Sequence, residues 1–155
     1  MDMGVSLEQQ IYSLGIGIGR AGRLRKLFAE SLEESATYFQ RELPAMDFSF
    51  GTDGDDRWVM RLWGREVVWH SVMRGMPDES GETRGSVWFE FIATVSQPWE
   101  PDVANKKQLA TVRLQADGIA KLVARGAEGE YTFEASRDTR EFAARLGLAL
   151  LKSDL

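Results

Sequence analysis

His70 is the only histidine in the chain, and it stands on an alternating stretch that also holds Arg61 and Glu66. Trp58 to Trp63 and Glu66 to Met73 read as two strands. Side chains two residues apart in a strand share a face, so Arg61, Glu66 and His70 fall together, joined by Glu90 from a later stretch. An imidazole beside carboxylates is suited to proton transfer or to holding a hard cation. A salt-bridged sheet surface uses the same residues equally well, and His70 has no second histidine with which to bind a metal. Ser71 is adjacent in the strand and points the other way, and no Gly-x-Ser-x-Gly elbow occurs, so a nucleophilic triad has no support. Cysteine is absent, which removes thiolate nucleophiles, thiolate ligands and disulfides together. The expectation is a protein with no catalytic residue, no metal and no cofactor.

Three further patterns have a chemical and a plain reading. Gly17-Ile-Gly-Arg-Ala-Gly22 matches the glycine spacing of dinucleotide-binding turns, but a long helical pattern surrounds it where a strand should precede. Gly15, Gly19 and Gly22 instead line one helical face with small residues, where a sheet or a second copy can approach closely, and a homodimer through these three is expected on that ground. Asp53-Gly-Asp-Asp56 resembles a calcium loop but lacks the closing glutamate, so it reads as a solvated turn. Arg20, Arg23, Arg25 and Lys26 form a basic cluster followed by Glu30, Glu33 and Glu34, as a charged helix exterior would.

The aromatic residues point to contact with a partner. Trp63 and Trp88 are expected beside Arg61, Glu90 and His70 on a mixed sheet face, and Trp99 lies between Pro98 and Pro101. Large rings in such positions are common at binding centres. Trp63, Trp88, Trp99, Arg61, Glu90 and His70 are therefore the expected binding residues. If a helix covers that face instead, both strand tryptophans belong to the core.

The elements that must position these residues follow from periodicity. Leu7, Ile11, Leu14, Ile18 and Ala21, then Leu24, Leu27, Phe28, Leu32, Phe39 and Leu43, predict a helical region over 6–43, stopped by Pro44 and capped by Ser6. The glycines predict two helices there, or one that bends. From 46 to 135 the period changes to two. Gly64 and Arg65 are expected as a two-residue type II′ loop, which sets Trp63 opposite Glu66, Arg61 opposite Val68 and Val59 opposite His70. Ser86 to Ser96 is the expected longest strand, and Leu109–Ala116 pairs with Ile119–Arg125 across a type I′ turn at Asp117-Gly118. A helix over 137–152, capped by Ser136 with Asp138 at its positive end, closes the chain.

At 155 residues, 43% hydrophobic and 28% charged, the chain reads as one globular domain over 1–155. The expected class is α+β, with helical regions flanking a curved antiparallel sheet of about six or seven strands. A net charge of −5 offers no basic surplus for nucleic acid and favours a neutral or basic protein partner. No apolar stretch reaches the ~20 residues that span a bilayer, and no secretory leader is legible. The functional expectation is a small acidic, cytoplasmic, non-catalytic protein-binding domain, similar in size and charge to secretion chaperones and immunity proteins. The competing expectation is a helix-grip cavity for an apolar small molecule.

Overall fold

The structure is a computed structural model that describes residues 6–54, 56–76, 86–95 and 107–152. The first helix, α1 (Leu7–Glu42), is continuous through all the glycines. Ser6 Oγ accepts the Gln9 amide while the Gln9 side chain accepts the Ser6 amide, both at 3.2 Å, so the helix starts on a capping box. Each glycine costs about 1 kcal/mol relative to alanine, but a break would require a second helix to nucleate, with an equilibrium constant of order 10⁻³. Continuation wins. The C-terminal half is then held by burial of Phe28, Leu32, Ala36 and Phe39.

After Pro44 a single 3-10 turn buries Met46, and seven strands follow. They are β1 (Ser49–Thr52), β2 (Arg57–Leu62), β3 (Arg65–Met76), β4 (Ser86–Val95), β5 (Lys107–Leu114), β6 (Ile119–Ala124) and β7 (Tyr131–Glu134), with α2 (Arg140–Lys152) last. The strands form one antiparallel sheet in chain order, curled as a half-barrel, so the expected α+β class and strand number hold. No helix among the described residues is long and apolar enough to cross a membrane.

Alternation sorts each strand into an inner and an outer face. Trp58, Met60 and Leu62, then Val67 and Trp69, then Val87, Phe89, Phe91, Ala93 and Val95 are all buried on the inner face. Phe28 of α1 meets Trp58, Phe91, Phe133 and Phe142 with ring centroids 5.4 to 5.8 Å apart, which joins both helices to three strands in one aromatic cluster. Ser31 and Ser35 of α1 hydrogen-bond to Thr139, which is wholly buried just before α2.

Several local expectations are corrected. The first hairpin turns at Trp63-Gly64, not Gly64-Arg65: both residues have positive φ, 54° and 73°, as a type I′ turn requires. Arg61 therefore pairs with Glu66, Val59 with Val68 and Arg57 with His70. The slip keeps each strand's faces because it moves every partner by two. In the second hairpin Gly118 alone has positive φ, +87°, which excludes type I′; Gln115 pairs with Ile119 around a three-residue loop. The longest strand is β3, which at 12 residues exceeds β4 by two. Met73 continues the alternation of the buried Val67 and Trp69 and so reads as a core residue, but it is exposed. The last helix begins at Arg140: Thr139 takes its first turn's amide, from Ala143, while Asp138 accepts the Arg140 amide at 2.9 Å.

Candidate outer-face interaction site

Both helices pack on the inner face, and the outer face of the central strands is open to solvent around Val72, Ile92, Arg113 and Val123, whereas Val68 on the same face is buried. Its side chains follow from register. Going across β3, β4, β5 and β6, one row is His70, Ile92, Thr111 and Val123, and the next is Val72, Glu90, Arg113 and Lys121. Trp88 sits one step further along β4, opposite Arg74. Val72, Ile92 and Val123 are each more than a third exposed, an uncommon amount of aliphatic surface for a sheet centre.

Charge and aromatic character meet at Trp88. The Arg113 guanidinium lies 4.8 Å from the centroid of its ring. The indole N–H donates to Glu90 Oε1, and Arg74 Nε donates to Glu90 Oε2, both at 3.4 Å. An exposed cation–π contact contributes about 0.5–1 kcal/mol and a surface ion pair about 0–1. The cluster therefore adds little to stability, but it holds a large ring and two guanidinium groups in one orientation. Outward positions on β2 to β6 carry Arg57, Arg61, Arg74, Arg113 and Lys121 against Glu66 and Glu90. Arg57 and Arg61 are neutralised by Asp53 at 2.6 Å and Asp47 at 3.0 Å, whereas neither Arg113 nor Lys121 has an ion pair among the described residues. The face is locally cationic in a chain of net charge −5.

Of the expected binding residues, Trp88, Glu90 and His70 come together on the outer face, and Arg61 lies on the same face toward the far end of β2. Trp63 does not join them. Its left-handed backbone drops the ring against α2, where the indole N–H donates to the Gly147 carbonyl at 3.2 Å. A Cβ at Gly147 would stand 2.9 Å from that nitrogen. Trp99 lies outside the described residues. Asp53 turns to Arg57, and the Gly17–Gly22 motif lies within α1, far from the helix N-terminus that a phosphate would need. Arg113, Arg74, Val72 and Val123 were not expected at the site, whereas Ile92 alternates with Trp88 and Glu90 along β4 and falls on the face with them. The first three alternate correctly in the sequence, but only the β4–β5 register brings Arg113 over Trp88.

A second charged group surrounds the start of α2. Tyr131 Oη donates to Glu141 Oε2 at 2.9 Å, Arg145 reaches Glu141 Oε1 at 3.1 Å, and the Arg145 guanidinium covers the Tyr131 ring at 4.2 Å. Partial burial, then the Glu141 hydrogen bond, pushes the Tyr131 phenol up to about 12. The cleft beside it, between the β6–β7 connection and α2, has a volume of about 130 Å³. Small-molecule sites usually hold roughly 300–1,000 Å³. A wider groove of about 620 Å³ runs along α1 past Lys26, Glu30, Glu33 and Trp58, open to solvent and lined by both signs of charge.

No protein-family model matches the chain, and no curated protein or solved structure matches it either.

Proposed function

We propose that this chain is a non-catalytic protein-binding domain that receives an acidic surface of another protein on the outer face of β3–β5. The observation that carries the reading is the Trp88 cluster: an indole stacked under Arg113 and fixed by Glu90, bordered by exposed Val72 and Ile92. An anchored ring with arginine beside it is the composition that concentrates energy at protein interfaces. Net charge alone favours a basic or neutral partner, but association responds to the local field, and Arg113 with Lys121 makes this field positive. The small-molecule reading calls for an enclosed apolar cavity, whereas the Phe28-centred rings fill the interior between sheet and helices and the groove beside Trp58 is open and lined by charges. A cysteine-free composition supports a reducing, cytoplasmic setting.

The test is affinity capture from native lysate with the wild-type chain, a Trp88→Ala/Arg113→Glu double variant and a Lys152→Glu control on α2. One polypeptide retained by wild type and control but lost by the double variant, in a salt-sensitive manner, is the expected result. Equal retention by all three would overturn the reading.

A further inference from the structure

The exposed side of the first half of α1 combines three features that no contact among the described residues uses. Ile11 is 61% exposed and Tyr12 70%, and Ile16 and Ile18 are also exposed. A Cβ built on Gly15, Gly19 or Gly22 meets nothing within 4 Å, so no contact among the described residues requires glycine there. Alanine at each would favour the helix by about 1 kcal/mol. Glu8 and Lys26 are exposed and have no ion pair among the described residues.

These residues are arranged with a symmetry. At 3.6 residues per turn, Glu8, Gly15, Gly19, Gly22 and Lys26 fall within an arc of roughly 60°. Ser13, Ala21 and Phe28, which are buried, lie on the other side of the helix. Reversing the helix about Gly17 sets Gly15 on Gly19, Tyr12 on Gly22 and Glu8 on Lys26. The occupant with matching charges and matching small residues is therefore the same segment running the opposite way. We infer that the chain forms a two-fold homodimer through an antiparallel α1–α1 contact whose midpoint lies between Gly15 and Gly19, level with Gly17, which itself faces the other side of the helix. The glycines let the two axes approach at the near end of the roughly 8–10 Å range, the Tyr12 rings cover Gly22 of the opposing copy, and two symmetric Glu8–Lys26 pairs fix the direction. This surface is opposite in the fold to the face that α1 turns to the sheet, and it is independent of the Trp88 site.

Sedimentation equilibrium of the full chain tests it. The wild type is expected at twice the monomer mass. Gly19→Leu, whose side chain points into open space in the single chain and so leaves the fold intact by circular dichroism, is expected to weaken association at least about a hundredfold. Glu8→Lys and Lys26→Glu are each expected to weaken it about tenfold, and the double variant carrying both to restore it. A wild-type monomer, a dimer untouched by Gly19→Leu, or a charge-exchanged double variant that stays as weak as the single ones would each overturn the inference. The restoration distinguishes a paired contact from mere loss of solubility or folding.

Discussion

Trp63 is the residue at which local cost and tertiary gain are most clearly opposed. A left-handed conformation costs an L-residue roughly 1–2 kcal/mol, and here a bulky tryptophan adopts it at φ 54°. The return is a half-buried indole against α2 with its N–H satisfied by Gly147. Gly147→Ala sets two effects against each other: about 1 kcal/mol of helix propensity gained, and roughly 1–3 kcal/mol of overpacking plus a weakened hydrogen bond lost. We expect the loss to win, with a net destabilisation of about 1–2 kcal/mol in urea unfolding; an increase in stability would show that the indole moves aside freely. Tyr131 offers a test in pH. Its folded phenol titrates near 12 against an ordinary 10.0, because burial and then Glu141 disfavour the phenolate. The fold holds this proton more tightly than the unfolded chain does, so the associated stability is complete below pH 10 and fades as pH rises from 10 toward 12. The melting temperature should fall more steeply over that window in wild type than in Tyr131→Phe, and identical slopes would contradict the assignment.

At the scale of elements, the sequence was informative where a period or a cap acts locally, and uninformative where a partner decides. Ser6 and Gln9 announce the start of α1, Pro44 its end, and alternation on β2, β3 and β4 sorts core from surface without any knowledge of neighbours. The glycines of α1 misled because propensity counts a local penalty but not the greater difficulty of restarting a helix. Gly64 favours a turn one residue later, which would set Trp63 on the outer face; only contact with α2 makes tryptophan acceptable at a positive φ. The Trp88 cluster was legible in its β4 half, Trp88 and Glu90, whereas Arg113 enters through the β4–β5 pairing. That register follows no tight turn and contains an irregularity between Ala93 and Thr94, so no short-range signal sets it. The join between α1 and α2 was equally invisible. Ser31, Ser35 and Thr139 are unremarkable apart in sequence but share hydrogen bonds of 2.6 to 3.3 Å in the interior. Thr139→Val keeps the shape but removes the hydroxyl that the Ser35 side chain meets in the interior, while the Ser31 carbonyl keeps its helical partner, so we expect about 1–3 kcal/mol of destabilisation in urea unfolding. No change would mean that the two helices are held by their aromatic contacts alone.

For the whole molecule, the decisive feature is that one side of the sheet carries both helices and the other carries none. The covered side spends its aromatic residues on a continuous interior from Trp58 to Phe142. Among the described residues the open side keeps Trp88, two cations without an ion pair, Arg113 and Lys121, and the exposed aliphatic residues Val72, Ile92 and Val123. The most direct measurement is hydroxyl-radical footprinting of the full chain, alone and with the polypeptide that it retains from lysate. The account expects oxidation of Trp88, Val72 and Ile92 to drop severalfold on binding, with Leu148 and Leu151 on α2 unchanged. Protection confined to the helices, with Trp88 as reactive as in the free chain, would contradict it.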